Sequence, residues 1–149
     1  MCTFQVLEHV AEPKKFLNSL IKLIKPGGKL IIAVPNGECF AKYSKNNLLD
    51  LPPHHMTRWS RETFESLTSI FSLKVLRFRF EPLAKYHVDW YINTQLSRLP
   101  KLRIIKSVSF RIAHHIIKPV LKKIPWFRRL IRGHTIYICF EKNLEVDRT

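Results

Sequence analysis

Glu8 and His9 are the first residues along the chain whose side chains suit proton chemistry. They follow directly after residues 2–7, a short and mostly apolar run that predicts a β-strand. A histidine titrates near neutral pH, so His9 can act as a general base with Glu8 beside it. The alternative is that both side chains only orient the loop and satisfy N–H groups at a helix end.

A second polar group follows the next apolar run, residues 29–35. Asn36 comes directly after that run, and His54, His55 and Trp59 lie further along in a long loop. Ligands of open α/β sheets bind beyond the carboxyl ends of the strands. We therefore expect these four side chains to line a ligand pocket.

Structural roles are the alternative for the same loop. The turn at residues 52–55 (PPHH) can simply fix the loop, Trp59 can pack in the core, and Asn36 can be a turn residue. Adjacent histidines also suggest a metal, but no third ligand stands at a convincing spacing. The sequence therefore predicts no metal site.

Two helices are predicted around these loops. Apolar residues spaced three and four apart predict a helix over residues 13–25, with Pro13 in its first turn. A second helix is predicted over residues 61–71, with Ser60 as its N-cap.

Four strands complete the framework. Residues 2–7 form a short, mostly apolar strand, and residues 29–35 are continuously apolar, as in a parallel strand that is covered on both faces. Residues 73–80 alternate apolar and polar, which indicates a strand near a sheet edge, and residues 135–141 form the last strand. The order predicts an α/β fold with short crossovers.

Four runs carry a resemblance to a known family. They are residues 4–10 (FQVLEHV), 12–17 (EPKKFL), 23–36 (LIKPGGKLIIAVPN) and 50–64 (DLPPHHMTRWSRETF). Together they resemble the class I S-adenosylmethionine-dependent methyltransferases, and most closely the ubiquinone-biosynthesis-like and bacterial glycan-modifying branches. The sheet of that family has the strand order 3-2-1-4-5-7-6, with strand 7 antiparallel. The resemblance implies a partial Rossmann-like methyltransferase sheet of order 4-5-7-6 with a basic helical insertion.

The resemblance also implies S-adenosylmethionine as the cofactor, with Phe4 and Gln5 among its binding residues at the end of strand 4. The family's main cofactor loop contains a Gly-x-Gly turn. None of the four glycines, at positions 27, 28, 37 and 133, lies in such a loop. We therefore expect the N-terminal cofactor-binding half to be missing, and this chain alone to bind the cofactor weakly and to be inactive.

By the same resemblance the reaction is methyl transfer, and we expect O-methylation of a small or lipid-linked acceptor. His9 would be the base, and Asn36, His54, His55 and Trp59 would line the acceptor pocket. Direct displacement at a methyl group needs alignment more than special side chains. The alternative is a non-catalytic remnant fold that acts as a membrane-surface or partner-binding module.

The net charge of +15 is concentrated in one segment. Residues 84–132 carry 12 Lys/Arg against the single acid Asp89. One helical stripe of this segment is apolar, and Pro119 and Pro125 are expected to break it into shorter helices. The stripe consists of Ile105, Val108, Ile112, Ile116, Val120 and Ile124.

This pattern predicts an amphipathic insertion that binds an anionic membrane surface. A helical cap whose stripe packs on the fold is the alternative, and nucleic-acid binding is disfavoured because aromatic residues are not interleaved with the basic ones. No stretch of about 18 apolar residues predicts a membrane span. Three scattered cysteines form no disulfide framework. We expect a cytoplasmic protein that is peripheral at the inner face of the membrane.

The predicted domain organisation has three parts. Residues 1–83 form the C-terminal half of a methyltransferase, residues 84–132 the insertion, and residues 133–149 the final strand and a frayed tail. Strand 4 without strand 1 leaves an open edge, which we expect to pair with an N-terminal half or a second copy.

Overall fold

The computed structural model describes residues 1–44, 51–100 and 102–144. Within these ranges, four strands form one mixed sheet. They are β1 (Cys2–Phe4), β2 (Lys29–Pro35), β3 (Leu73–Pro82) and β4 (Arg132–Lys142). The strand order is β1-β2-β4-β3, which confirms the predicted order 4-5-7-6.

The register of the sheet follows the predicted directions. β1 runs parallel to β2, with Cys2 opposite Ile31 and Phe4 opposite Ala33. β2 runs antiparallel to β4, from Lys29 opposite Glu141 to Pro35 opposite Thr135. The last strand therefore lies inside the sheet, and the alternating strand β3 lies at its edge as predicted.

Six α-helices lie in the described ranges. They are α1 (Pro13–Lys22), α2 (Arg61–Ile70), α3 (Val88–Ser97), α4 (Arg103–Ile112), α5 (Lys118–Lys123) and α6 (Pro125–Arg129). Short 3₁₀ turns cover Leu7–His9, Phe40–Tyr43 and Lys85–His87, and a π turn covers Ala113–Ile117.

The chain divides into two compact units, and the first contains most of the sheet. It comprises Met1–Asn36, Leu48–Phe80 and Thr135–Thr149. Its core joins apolar side chains of β2 and β4 to those of α1 and α2, because each of these elements has one apolar face. The fully covered members include Leu17, Leu30, Ile32, Val34, Phe64, Ile136, Ile138 and Phe140.

The second unit comprises Gly37–Asn47 and Glu81–His134. Its core is smaller, and its buried members include Cys39, Phe40, Ala41, Leu83, Val88, Ile92, Ala113 and Leu121. The rings of Trp90 and Tyr91 pack edge-on against Phe40, at centroid distances of 4.9 and 5.3 Å. This unit therefore contains the basic insertion together with the turn that follows β2.

Two local predictions hold closely. β2 has the predicted bounds 29–35, and α2 begins directly after its predicted cap. The Ser60 hydroxyl accepts a hydrogen bond from the Thr63 N–H at 3.2 Å. A side-chain oxygen at this position satisfies one of the first helical N–H groups, which have no partner inside the helix.

Two predicted elements are too long. β1 ends at Phe4 and not at residue 7, because Gln5 has a φ of 52° and turns the chain out of the strand. α1 ends at Lys22 and not at residue 25, and Leu23, directly after it, is 73% exposed. Gly27 then turns the chain with a φ of 74°.

The predicted break at Pro119 is wrong, while the one at Pro125 is right. Residues 103–123 are helical without a gap, since α4 leads through the π turn into α5. In the π turn the Lys118 N–H bonds to the Ala113 carbonyl, five residues back, so the missing N–H of Pro119 falls at the wider turn. The distal part of the predicted tail, residues 145–149, lies outside the described residues.

Candidate functional site

The candidate site begins where β1 ends. The positive φ of Gln5 turns the chain, while the Gln5 N–H still bonds to the Ala33 carbonyl of β2 at 2.8 Å. The 3₁₀ turn Leu7–His9 follows and buries Leu7 and Glu8. Glu8 and His9 are thus placed beyond the carboxyl end of a parallel strand, as predicted.

Glu8 holds the loop of residues 51–59 through its backbone. Its carbonyl oxygen accepts hydrogen bonds from the N–H groups of Met56 at 2.7 Å and Thr57 at 3.2 Å. The Thr57 hydroxyl donates to the Leu7 carbonyl at 3.2 Å, and the indole N–H of Trp59 donates to that hydroxyl at 2.9 Å. These bonds join two loops that are far apart in sequence.

The Glu8 carboxyl group is buried without a hydrogen bond. Glu8 is only 1% exposed, and neither carboxylate oxygen has a hydrogen-bond partner among the described residues. Buried polar atoms nearly always have partners, and a buried charge without one costs several kcal/mol. The Nε2 atom of His9 lies 3.9 Å from Glu8 Oε1, which is too far for a hydrogen bond.

The backbone fixes which nitrogen of His9 carries the proton. His9 Nδ1 lies 2.5 Å from the His54 carbonyl oxygen, and that oxygen can only accept a hydrogen bond. In the neutral ring, Nδ1 is therefore the donor and Nε2 is the nitrogen with the lone pair. The side chain of His9 is 50% exposed, so this basic nitrogen is accessible from one side and close to Glu8 on the other.

His55 completes a cluster with these two residues. Its ring lies edge-on to that of His9, with the centroids 4.9 Å apart. Glu8, His9 and His55 each offer one ligand atom, and these atoms lie within 4.8 Å of one another. Two ligands of one zinc ion are at most about 4.2 Å apart, since each bond is about 2.1 Å. A small side-chain rotation would suffice for the three to share a cation.

The sequence did not reveal this cluster. The residue that supplies the third ligand is Glu8, 47 residues before His55, and spacing alone does not connect them. Thr57 was also missed, although its hydroxyl links Leu7 to Trp59. The signal that could have found both is the predicted sheet, which places the loops after strands 4 and 5 at the same edge.

The other predicted site residues lie in different settings. The Trp59 ring is buried and stacked on Phe64 with the centroids 5.0 Å apart, which is what its core interpretation expects. Asn36 is buried and pairs with Trp59 through the backbone. Phe4 and Gln5 are exposed at the end of β1. Their predicted roles toward cofactor and acceptor stay predictions.

The strand order of the sheet is the one expected for an α/β fold of the methyltransferase type. A family model described as a methyltransferase domain matches residues 1–77, which is more than half of the chain. The chain therefore belongs to this methyltransferase family, and the resemblance to class I S-adenosylmethionine-dependent methyltransferases is confirmed.

A relative and two structures support this assignment. The mitochondrial ubiquinone biosynthesis O-methyltransferase of Dictyostelium discoideum is 44% identical over 93 residues, covering 62% of this chain and 21% of that protein. A putative sarcosine dimethylglycine methyltransferase from Galdieria sulphuraria shares the fold with a TM-score of 0.51 and 16% identity. The [4+2]-cyclase SpnF does so with a TM-score of 0.50 and 11% identity.

These proteins are longer than this chain. The matches cover 95% and 96% of this chain, but only 52% and 48% of the two solved structures respectively. The chain thus spans about half the length of its structural neighbours and about a fifth of its curated relative. Among the described residues, no helix is both long and apolar enough to cross a membrane.

Proposed function

We propose that this chain is the acceptor-side part of an S-adenosylmethionine-dependent O-methyltransferase. The observation that carries the proposal is the cluster of Glu8, His9 and His55 beyond the carboxyl ends of β1 and β2. It combines an accessible basic nitrogen with a buried carboxylate at the edge of the sheet where ligands of α/β folds bind.

The chemistry assigned to the cluster is activation of a hydroxyl group. The acceptor oxygen attacks the methyl carbon, the carbon–sulfur bond breaks, and the sulfur keeps the electron pair and becomes a neutral thioether. The hydroxyl proton passes to His9 Nε2, whose positive charge is then stabilised by Glu8 at 3.9 Å. The carbonyl of His54 holds the ring in the required tautomer.

A divalent cation is the second candidate for the same cluster. The buried Glu8 carboxylate without a hydrogen bond favours it, because such a group is expected where a cation completes the site. Glu8, His9 and His55 would be its ligands, and when bound it would lower the pKa of a coordinated acceptor hydroxyl. Both candidates give the cluster the same task of activating the acceptor.

The cofactor loop is proposed to come from residues outside these 149. None of the four glycines lies in a Gly-x-Gly loop, and the strand order leaves one side of β1 without a neighbour among the described strands. The exposed Phe4 and the turn at Gln5 would then border the cofactor. The chain by itself is therefore expected to bind S-adenosylmethionine weakly, which titration calorimetry with the purified chain measures.

The acceptor is proposed to be a hydroxyl-bearing small or lipid-linked molecule. The support is the activity for which the Dictyostelium relative is named, O-methylation in ubiquinone biosynthesis, together with a base suited to a hydroxyl. A chimera tests this directly. In it, the matching 93 residues of this chain replace those of the Dictyostelium enzyme, and methyl transfer to that enzyme's own acceptor is followed.

We expect the chimera to bind the cofactor and to transfer methyl groups. His9→Gln in the chimera should lower the rate by about 10²–10⁴-fold, the usual contribution of a positioned acid or base. Lys22→Gln, an exposed change on α1, is the matched control and should keep the chimera's rate. A folded chimera that binds the cofactor but never turns over would favour the non-catalytic alternative. An active chimera that is indifferent to His9→Gln would refute the role of His9.

A further inference from the structure

α4 leaves all of its ten residues at least partly exposed, although it is strongly amphipathic. Ile104 is 79% exposed, and Ile105, Val108 and Ile112 are exposed on the same stripe. An amphipathic helix of this length normally gains its stability by covering the apolar stripe. The stripe of α4 therefore faces outward.

The exposed apolar surface is concentrated in one part of the chain. Of 23 large apolar side chains that are exposed among the described residues, 12 lie between Leu102 and Leu130. A cleft of about 600 Å³ between α3 and α4 adds further apolar wall, including Leu96, Leu99 and Ile117. Scattered exposed apolar residues are ordinary, whereas a continuous patch marks an interaction surface.

The opposite side of the same helical run is already occupied. Ala113 and Leu121 are buried, and Lys118 and Lys122 each lie 2.6 Å from the carboxylate of Asp89 on α3. Asp89 is the only acid in residues 84–132, against 12 Lys/Arg. The packed side is thus neutralised, and the outward side keeps the positive charge.

α6 adds exposed aromatic side chains next to the end of α5. Trp126 is 58% exposed, and its neighbours Phe127 and Leu130 are exposed as well. Arg128 donates to the carbonyls of Leu121 and Lys122 at 2.9 and 3.3 Å, which fixes α6 against the end of α5. Exposed aromatic rings beside cationic residues are typical of segments at the boundary of lipid headgroups and acyl chains.

We propose that α4 to α6 bind the surface of an anionic lipid bilayer, with the stripe of α4 and the rings of α6 inserted at the headgroup boundary. The partner must offer both apolar and negatively charged groups, since the sequence of α4 contains exposed Ile and Val together with Lys and Arg. A bilayer containing anionic lipids meets both conditions. The inference concerns only the second unit and does not depend on methyl transfer.

Two other partners fit the surface less well. A second copy would bring together two segments that each carry 12 Lys/Arg against one acid, and this like charge opposes association. A nucleic acid would satisfy the charge but would leave the aliphatic stripe in water, since aliphatic side chains offer no stacking surface.

Vesicle flotation of the full chain tests the proposal. We expect recovery with phosphatidylcholine vesicles that contain phosphatidylglycerol, much weaker recovery with phosphatidylcholine alone, and loss of binding as salt is raised. Each basic residue near an anionic surface strengthens binding about fivefold. Lys106→Glu with Arg111→Glu should therefore weaken binding by more than tenfold, while Lys22→Glu with Lys25→Glu on the first unit should weaken it far less.

A second pair of variants tests insertion of the apolar stripe. Ile104→Asp with Val108→Asp should abolish flotation, whereas Leu23→Asp with Ile70→Asp should not. The pairs are matched, since Ile104 and Leu23 are 79% and 73% exposed and Val108 and Ile70 are both 53% exposed. Thermal melts of the four double variants, the two charge variants and the two Asp variants, check that each is folded. If a variant does not fold, quenching of wild-type Trp126 by brominated lipid tails, with Trp126→Phe as its control, measures insertion directly.

Three results would overturn the proposal. The first is equal recovery with neutral and anionic vesicles. The second is retention of binding by the folded Ile104→Asp, Val108→Asp variant. The third is tight binding of a DNA or RNA oligonucleotide, measured by fluorescence anisotropy, with no binding to anionic vesicles.

Discussion

His9 and Glu8 are neighbours in sequence with opposite environments. His9 is half exposed and has one ring nitrogen tied to the His54 carbonyl, whereas the carboxyl group of Glu8 is enclosed and has no hydrogen bond. The 3₁₀ turn produces this difference, because it places consecutive side chains about a third of a turn apart. His9 thus exposes one face of its ring, and Glu8 places a buried carboxyl group beside it.

The buried carboxylate leads to a prediction about divalent cations. We expect Mn²⁺ or Zn²⁺ to raise the melting temperature of the chain, because an ion that binds only the folded state stabilises it. Glu8→Gln should remove this rise. Without added metal, the same variant should be at least as stable as the wild type, since it replaces a buried carboxyl group that has no hydrogen-bond partner among the described residues. Melting curves with and without metal measure both effects. An equal rise in wild type and variant would show that the ions bind elsewhere.

His87 leads to a prediction about pH. Burial lowers its pKa from 6.5, and Glu81 only partly opposes this. The folded state therefore holds the neutral ring, while the unfolded chain takes up a proton once the pH falls below 6.5. The contribution of His87 to stability is thus complete above pH 6.5 and is lost as the pH falls through the lowered pKa.

The check is a set of melting curves from about pH 7.5 to about pH 5.5, the range in which histidine titrates. The melting temperature of the wild type should fall further over this range than that of His87→Phe. This variant keeps the ring contacts with Tyr86 and Trp90. His115→Gln, at an exposed position, should follow the wild type. Parallel pH curves for wild type and His87→Phe would contradict the prediction.

At the scale of single elements, the predictions were most accurate where one local sequence signal determines the bounds of a helix or strand. The continuous apolar run 29–35 gave β2 with its correct bounds, and Ser60 gave the start of α2. The predictions failed where the backbone departs from the rule. Gln5 takes a positive φ that a glutamine rarely adopts, and the π turn accommodates Pro119 inside a helix.

Hydrophobic periodicity alone does not determine whether the apolar stripe of α4 is buried. A period of 3.6 residues identifies an apolar stripe, but it does not show whether another element covers that stripe. For α1 and α2 the stripe is covered by the sheet, whereas for α4 it is exposed. The site was limited in the same way, because hydrogen bonds from Met56 and Thr57 to Glu8 span about 50 residues and have no local signal.

Gly133, at the start of β4, leads to a prediction about packing. A Cβ atom at this position would lie 2.5 Å from the Pro82 carbonyl oxygen and 2.7 Å from that of Glu81. Both are backbone atoms, so neither can rotate away. Gly133→Ala should therefore lower the free energy of unfolding by about 1–3 kcal/mol, as overpacking usually does.

Urea denaturation measures this difference. Ser107→Ala on the exposed side of α4 is a control that should change the free energy of unfolding by less than about 0.5 kcal/mol. A Gly133→Ala protein as stable as the wild type would show that β3 and β4 can separate at this point without cost.

At the scale of the whole molecule, the two units have different chemical characters. The first unit contains the methyltransferase-type sheet and the polar cluster, and it overlaps most of the residues that match the family. The second unit holds most of the excess positive charge and most of the exposed apolar side chains. Under the two proposals, acceptor chemistry belongs to the first unit and surface binding to the second.

Asp89 is the residue at which the stability of the second unit and its proposed binding surface oppose each other. Lys118 and Lys122 donate hydrogen bonds to its carboxylate and lower its pKa, so the pairing stabilises the fold at neutral pH and is lost only in acid. Asp89→Asn removes the only acid in residues 84–132 and leaves both lysines without an acidic partner in that segment.

Asp89→Asn is therefore expected to change two measurements in opposite directions. The melting temperature should fall slightly, because an exposed ion pair contributes little. Binding to vesicles that contain phosphatidylglycerol should become several-fold tighter, since residues 84–132 then carry 12 Lys/Arg and no acid. Glu65→Gln is the matched control, because it breaks the exposed pair with Arg61 in the first unit and adds the same net charge. If both variants tighten binding equally, net charge alone drives association. If only Asp89→Asn does so, the bilayer contacts the surface formed by α4 to α6.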